Sequence, residues 1–293
     1  NGANNGTSQT VLIIDNESAP TLTLSVGASD INENEGTTTA SVMATLSAIS
    51  GLDVTVTLAK TGTATENADY KLQTTITVKA GVQEANVSLA AVGDFLNEAN
   101  ETVIISVSNV VNGTSTSTPQ TVTIIDDDAL PTVTLSAQLA NMGEKGGTTT
   151  ITATLSAVAG REVTVVILKS GTATEVKDYT LADTIIIPTG SPSRSIAVVA
   201  VDDLLDETNE TVIVDIDTVV NGVEFAQQQQ TVTITDDETP PKAALSVDNI
   251  LLHEKTGTTS AVVTVAIDAI SELDVTITLS KSGMATETAD YTL

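Results

Sequence analysis

Clustered carboxylates are the groups in this sequence that could do chemistry, and the clusters recur. In residues 121–131, TVTIIDDDALP, a strand-like stretch ends directly in three aspartates. Similar stretches begin at positions 10 and 231. Two unit charges about 4 Å apart repel each other by about 4 kcal/mol at an effective dielectric constant near 20, so such a cluster needs a cation or full solvation. The second and third copies end in the acidic triplets Asp126, Asp127, Asp128 and Asp236, Asp237, Glu238.

Two other segments between predicted strands are also acidic, and both recur in phase with the triplets. The first precedes the predicted second strand and carries Glu33 and Glu35 in one copy, Glu144 in the next and Glu254 in the last. The second leads into the predicted sixth strand and reads GDFLNEANE or DDLLDETNE. Its two copies supply Asp94, Glu98, Glu101 and Asp202, Asp203, Asp206, Glu207, Glu210.

The donor chemistry of these segments favours calcium. The ligands would be carboxylate oxygens, since the chain has no cysteine and a single histidine. Oxygen ligands at mixed spacings suit Ca²⁺, whereas Mg²⁺ retains its waters and Zn²⁺ prefers nitrogen or sulfur. The spacing is not that of an EF-hand, whose ligands come from one loop. The alternative is that the acidic loops are only solvated, which their recurrence in register makes less attractive.

The acidic segments belong to a tandem repeat with a period near 110 residues. A second marker recurs in the same phase, as KTGTATENADYKL, KSGTATEVKDYTL and KSGMATETADYTL. This period has the length of a whole domain rather than of a solenoid repeat. We therefore predict a fragment of a longer array. It comprises the tail of one repeat (1–19), complete repeats at 20–129 (repeat one) and 130–239 (repeat two), and half a repeat at 240–293 (repeat three).

Within a complete repeat, the pattern predicts an all-β fold. Apolar residues alternate with Thr or Ser over seven short stretches, which is typical of strands with one face on a core. Seven antiparallel strands in about 110 residues fit an immunoglobulin-like β-sandwich, although the cysteine pair and buried Trp of true immunoglobulin domains are missing. The stretch TIIIP, ending in Pro188, is expected at a sheet edge, where a missing donor does least harm.

Loops of a sandwich cluster at its two ends, and this places the carboxylates. Strand direction allows the loop before the second strand, the connection into the sixth strand and the exit of the last strand to meet at one end. The short connections DDDALP and DDETPP leave few residues between one repeat and the next. A cation bound there would fix a repeat against its neighbour.

Composition excludes several classes of partner. The chain has 11 basic and 38 acidic residues, a net charge of −27, which disfavours nucleic acid and anionic membranes. Without cysteine it has neither disulfides nor thiolate zinc sites. No apolar run reaches the roughly 18 residues of a membrane span, and the first residues do not form a signal peptide. Calcium ions and neighbouring repeats remain the expected partners.

The ordered markers resemble the Calx-beta domain over essentially the whole chain. They are E..G before strand two, GTAT…DY after strand three, D…E..ET before strand six and TVTI.DDD at the end. This family occurs in the cytoplasmic loops of sodium–calcium exchangers, in an integrin β subunit and in tandem on very large bacterial surface proteins. The resemblance implies an immunoglobulin-like sandwich that binds calcium where its last strand exits.

The resemblance also implies a ligand set, which this chain matches unevenly. Glu33, Glu144 and Glu254 match the family's glutamate before the first-loop glycine. Repeat two has the whole Asp-Asp, Glu, Glu series, whereas repeat one has Gly93 in place of the first Asp, so repeat two is expected to bind more tightly. All copies lack the family's Asp before GTA. The implied metal ligands are Glu33, Asp94, Glu98, Glu101, Asp126, Asp127, Asp128, Glu144, Asp202, Asp203, Glu207, Glu210, Asp236, Asp237 and Glu238.

Three function classes remain. An enzyme is disfavoured, because a catalytic pair is not normally copied into every domain of an array. A calcium sensor of the exchanger type would be expected to show one or two dissimilar domains beside a membrane segment. Near-identical repeats, short linkers and the absence of cysteine favour a calcium-stiffened stalk of a bacterial cell-surface adhesin or fibre, outside the cell. The adhesion target is not readable from a stalk.

Overall fold

The computed structural model describes residues 6–14, 16–34, 38–254 and 259–293. It divides into two compact units, residues 1–129 and 130–293. The described residues form strands, turns and loops without any α-helix, which confirms the predicted all-β class. Accordingly, the described part of the chain contains no helix able to cross a membrane.

Repeat one consists of ten strands in two five-stranded sheets. One sheet has the order β5-β7-β3-β1-β9 and the other the order β2-β10-β8-β4-β6. The strands are β1 (Thr21–Val26), β2 (Asp30–Asn32), β3 (Thr39–Leu46), β4 (Val54–Gly62), β5 (Tyr70–Leu72), β6 (Thr75–Val78), β7 (Glu84–Ala91), β8 (Glu101–Val111), β9 (Thr114–Ser115) and β10 (Gln120–Ile125).

Repeat two has the same topology. Its sheets have the orders β15-β17-β13-β11-β20 and β12-β21-β19-β14-β16. The strands are β11 (Thr132–Ala137), β12 (Asn141–Gly143), β13 (Thr148–Leu155), β14 (Val163–Gly171), β15 (Tyr179–Leu181), β16 (Thr184–Ile187), β17 (Ser193–Ala200), β18 (Leu205–Asp206), β19 (Glu210–Val220), β20 (Val223–Glu224) and β21 (Gln229–Thr235). Strand β18 lies outside both sheets.

The core of each repeat lies between its two sheets and follows from the alternation in the sequence. In β3, every second side chain is buried, and β13 has the same pattern. Small and branched aliphatic residues fill both cores, and Tyr70 and Tyr179 are the buried aromatic residues, each 3% exposed. Because one face of each longer strand is apolar, folding removes that face from water and fixes the register.

The seven predicted strands of each repeat are present, together with three added short strands in repeat one and four in repeat two (β12, β15, β18 and β20). The added strands in repeat one are β2, β5 and β9, which have two or three residues and are too short to show an alternating pattern. The strand before Pro188 is β16, at the edge of its sheet, which confirms that prediction.

The recurrent GTAT marker is explained by a close backbone approach. Gly62 has φ +124°, and a Cβ built on it would lie 2.1 Å from the carbonyl oxygen of Thr102. Gly171 has φ +119° and the same 2.1 Å approach to the carbonyl oxygen of Thr211. Only glycine fits both requirements, so the motif marks where β4 and β14 leave their sheets.

Residues 240–293 form β22 (Ala243–Val247), β23 (Val263–Ile267) and β24 (Ile270–Ser271). The first two pair antiparallel as an isolated two-stranded sheet. Strand β24 instead pairs parallel with β18 of repeat two, through Leu205 with Ile270 and Asp206 with Ser271.

Candidate metal centre

The sheet topology of repeat one brings the three acidic segments to one end of the sandwich. Strands β2 and β10 pair in parallel, so both end at the same side, where Glu33 and Asp126 follow them. The amide of Glu33 donates to the carbonyl of Ile125 at 2.9 Å. Strand β8 is antiparallel to β10, so the Asp94–Glu101 connection enters it from that side too. We call this region the acidic end of the repeat.

Hydrogen bonds hold the last-strand exit of repeat one against the connection before β8. Asp126 accepts from the amide of Glu98 at 2.9 Å and from the side-chain amide of Asn97 at 3.0 Å. The same Asn97 nitrogen donates to the carbonyl of Asp128 at 2.9 Å. Asn97 is 7% exposed, and its side-chain oxygen is buried without a hydrogen-bond partner among the described residues. That oxygen is an unused acceptor next to an amide nitrogen that bonds to Asp126 and Asp128.

A carboxylate group in repeat one includes a residue that sequence reasoning missed. Asp69, Glu98 and Glu101 each offer an oxygen, and these oxygens lie within 4.8 Å of one another. The Asp69 carboxylate accepts from the amide of Thr65 at 2.5 Å, which anchors the side chain. The sequence signal for this carboxylate is the dipeptide DY, which recurs in every copy.

Burial and mutual repulsion raise the pKa values of carboxylates at the acidic end of repeat one. Glu33 is only 5% exposed, and its carboxylate makes no hydrogen bond or ion pair within the described residues. Desolvation, followed by the charges of Asp94 and Asp126, raises its pKa from 4.5 to about 7. Burial, a hydrogen bond with Asp69 and that residue's charge raise the pKa of Glu101 to about 7. A divalent cation bound beside Glu33 and Glu101 would favour their ionised forms and lower both pKa values.

The acidic end of repeat two is built in the same way and holds three carboxylate groups, two of which share Glu238. One is Asp178, Glu207 and Glu210, equivalent to the missed group of repeat one. The amide of Glu207 donates to Asp236 at 3.2 Å, as Glu98 does to Asp126. The other two groups, with oxygens also within 4.8 Å, are Glu144, Asp236, Glu238 and Asp202, Asp237, Glu238.

Repeat two differs in having a cation in place. The ammonium of Lys145 lies 3.8 Å from Asp202 and 3.9 Å from Asp237, two members of one carboxylate group. Glu144 is 5% exposed and accepts a hydrogen bond from the amide of Asp203 at 3.1 Å, so it is better satisfied than Glu33. Lys145 therefore partly neutralises this side of the acidic end.

The Glu207 and Glu210 side of repeat two is left uncompensated. Burial, then the charges of Glu272 and Glu210, raise the pKa of Glu207 from 4.5 to about 7. Burial, then a hydrogen bond with Asp178 and its charge, raise the pKa of Glu210 to about 7. These two carboxylates are therefore more stable with a bound proton or metal ion than ionised without a partner.

The structure places the predicted ligands unevenly. Nine lie in the carboxylate groups above: Glu98, Glu101, Glu144, Asp202, Glu207, Glu210, Asp236, Asp237 and Glu238. Glu33 is affected by the charges of Asp94, Asp126 and Asp128. The backbone amide of Asp203 donates to the carboxylate of Glu144. Asp127 is exposed and affects Asp128 by its charge alone. Their individual roles as ligands stay predictions, and Glu35 lies outside the described residues.

The donor set fits calcium. The groups offer carboxylate oxygens, without nitrogen or sulfur ligands, and Ca²⁺ takes six to eight oxygens in flexible geometry. Two buried oxygens without hydrogen-bond partners among the described residues, Asn97 Oδ1 and Glu238 Oε2, add unused acceptors at the two acidic ends. A bound Ca²⁺ supplies charge and coordination, and the chain supplies anchored carboxylates around it.

Comparison with known proteins identifies the family. The model of the Calx-beta domain matches residues 15–128 and again residues 126–238. The chain therefore belongs to the Calx-beta domain family, with two tandem domains, and calcium is the ion that this family's domains bind. A search of curated proteins gives no match.

Solved structures similar to this chain include tandem domains of the same family. CBD12 from CALX1.2 is 18% identical over 68% of this chain and 80% of its own, with a TM-score of 0.32. The calcium binding domain CBD12 of CALX1.1 is 17% identical over the same shares, with a TM-score of 0.32. The apo-form Calx CBD1 domain is 20% identical over 36% of this chain and 98% of its own, with a TM-score of 0.31.

Proposed function

We propose that this chain is a calcium-stiffened extender from the stalk of a large, repetitive bacterial cell-surface adhesin or fibre. In this role each repeat is a spacer, and calcium at its acidic end holds it to the next repeat. The proposed role is not catalytic, because the carboxylates recur in every copy and the sequence shows no nucleophile–base pair. The adhesion target would lie in other domains.

The position of the acidic end of repeat two carries this proposal. The connection that supplies Asp203, Glu207 and Glu210 also supplies Asp206, which contacts repeat three. Ion binding and the junction between repeats therefore use the same nine-residue connection, DDLLDETNE. Whatever orders these carboxylates also orders the contact.

The electrostatics give the junction two states. Without calcium, the carboxylates repel one another, and burial together with that repulsion raises the pKa values of Glu207 and Glu210. With calcium, the same groups share a cation and their connection is held in one conformation. No disulfide can replace the ion, because the chain has no cysteine.

A location outside the cell supports this function by supplying the ion. Extracellular calcium modules bind with dissociation constants of about 10⁻⁴–10⁻³ M, so they are filled at the concentrations found outside cells. The lack of the family's Asp before GTA in every copy is consistent with such weak sites. The strong negative charge suits a soluble surface that does not adhere to nucleic acid or anionic lipid.

Small-angle X-ray scattering on the full chain, in millimolar calcium and in chelator, tests the proposal. An extender should give a longer maximum dimension and a narrower distance distribution with calcium, and magnesium at the same concentration should have much less effect. Superimposable profiles would overturn the extender role. If calcium binds with micromolar affinity but leaves the profile unchanged, the result favours a sensor of the exchanger type.

A further inference from the structure

We propose that the calcium site of repeat two is completed by repeat three, through the carboxylate of Glu272. This inference rests on the calcium-binding function proposed above and extends it to a ligand that comes from the neighbouring repeat. Calcium would then be coordinated by both repeats at once, rather than only ordering a loop next to their contact.

A built contact positions Glu272. Strand β24 runs parallel to β18, and the Ser271 hydroxyl donates to the carboxylate of Asp206 at 2.7 Å. The amide of Glu272 donates to the carbonyl of Asp206 at 3.1 Å. Asp206 is 5% exposed, so this carboxylate is buried in the contact and is not available to a metal ion. The pairing therefore fixes the backbone of Glu272 next to Ser271, whose hydroxyl is bonded to the buried Asp206.

Glu272 lines a cavity whose other lining residues all belong to repeat two. This cavity has a volume of about 310 Å³. Asp178, Glu207 and Glu210, which form one of the carboxylate groups, line it together with Glu272. The other lining residues are Thr174, Lys177, Asp203 and Leu205.

The charges around the cavity are unbalanced. Five carboxylates line it, and Lys177 is the only cation among its lining residues. Lys177 is exposed and forms no ion pair within the described part of the chain. A fourth carboxylate brought next to Asp178, Glu207 and Glu210 would destabilise the contact unless a cation were shared, because like charges at this distance repel. The carboxylate oxygens that line the cavity are the ligand type that Ca²⁺ takes.

The sequence shows that Glu272 is particular to repeat three. The corresponding positions in repeats one and two are Gly51 and Gly160, and Ser271 corresponds to Ser50 and Ala159. Asp206 in turn corresponds to Asn97 of repeat one. The hydroxyl–carboxylate contact and the added carboxylate thus occur together, where the connection before the sixth strand carries Asp206.

Calorimetric calcium titration of the full chain and its Glu272→Gly and Glu272→Asp variants tests the inference. Glycine is the residue of the other two repeats, and Glu272 is exposed, so neither variant should impair folding. For a direct ligand, Glu272→Gly should weaken one class of sites about ten-fold, since ligand charge count sets calcium affinity. Glu272→Asp should weaken it nearly as much, because the shorter side chain keeps the charge but loses the reach. A matched control is Asp274→Asn, two residues further on and outside the cavity lining.

Hydrogen exchange supplies a second readout, at the amides of residues 270–274. Calcium should slow their exchange in the wild type and in Asp274→Asn, and not in Glu272→Gly. If Glu272→Gly binds calcium as the wild type does, the inference fails while the proposed function stands. A different outcome is that Glu272→Asp binds calcium like the wild type while Asp274→Asn weakens binding as Glu272→Gly does. In that case Glu272 acts through its electrostatic field and is not a ligand. If the wild type itself takes up no calcium, the proposed function fails.

Discussion

The acidic ends of repeats one and two share their backbone design and differ in how their charge is compensated. In repeat one, Glu33 is buried with no hydrogen bond or ion pair in the described residues. In repeat two, the corresponding Glu144 accepts from the amide of Asp203, and Lys145 lies against Asp202 and Asp237. The extra carboxylate of repeat two is thus met by an extra ammonium. Counting carboxylates alone does not rank two such sites.

The largest expected effect comes from removing the central glutamates of one repeat at a time. Glu98→Gln with Glu101→Gln, or Glu207→Gln with Glu210→Gln, should abolish the calcium-induced stabilisation of that repeat only. A site filled at 100 times its dissociation constant contributes about 2.7 kcal/mol, on the order of 5 °C in melting temperature for a domain of this size. Calorimetric melts with calcium and with chelator measure this loss.

The control for these pairs is Glu66→Gln, which removes an exposed glutamate that is ion-paired to Lys60 and belongs to none of the carboxylate groups. It should leave the calcium response intact. A calcium response that survives both glutamate pairs would contradict the assignment of the acidic ends as the binding sites.

The next largest effect tests the role of Lys145. Lys145→Gln should strengthen calcium binding at repeat two by about two- to five-fold, because exposed ion pairs are worth about 0.2–1 kcal/mol and the metal no longer competes with one. Titrations in the Glu98→Gln, Glu101→Gln background isolate repeat two. Asn34→Lys, which places a lysine after Glu33, should weaken repeat one by a similar factor.

Lys79→Gln is the matched control, since this lysine is as exposed as Lys145 and pairs with Asp53 instead. Unchanged affinity in Lys145→Gln would restore the expectation that the Asp202–Asp203 pair makes repeat two the tighter site. That ranking is otherwise opposed by the lysine.

The smallest expected effect is a pH dependence of the calcium-free protein. The pKa values of Glu33, Glu101, Glu207 and Glu210 are raised from 4.5 to about 7 on folding. Between these values the folded chain binds more protons than the unfolded chain, so its stability falls as pH rises from about 4.5 through 7. Melting temperatures in metal-free buffer should therefore be a few degrees higher at pH 5.5 than at pH 8.

Saturating calcium should reverse that order, because protons then compete with the ion for the same carboxylates. The Glu101→Gln, Glu210→Gln variant should show a flatter profile without calcium. A calcium-free melting temperature that rises with pH over this range would mean that these glutamates ionise freely in the folded protein.

The sequence predicted the sandwich because its alternation is long and regular in the main strands. Strand β3, for instance, buries every second residue over its length. Strands such as β2 and β9 span three and two residues, and pairing with longer neighbours defines them rather than any pattern of their own. The meeting of the acidic segments at one end was predictable, because strand direction determines it.

The detailed composition of the site was not predictable to the same degree. Asp69 and Asp178 reach the carboxylate groups from a loop whose acidic residue is separated from the triplets by more than fifty positions. No sequence pattern marks Lys145 as a partner of the carboxylates, because it is the pairing of β12 with β21 that brings its loop to the acidic end. Glu272 reaches the cavity through a contact between repeats, which no pattern within one repeat encodes.

The parallel pairing of β2 with β10 has a mechanical consequence for a chain loaded along its length. The strand near the start of the repeat and the strand at its end run side by side in the same direction, through Thr123 with Asp30 and Ile125 with Asn32. Tension that pulls the two ends of the repeat apart therefore acts along this ladder as shear. In shear all the hydrogen bonds of the ladder bear load together, whereas a hairpin pulled at its open end loses them one after another. The same end that gathers the carboxylates is thus also where force enters the fold.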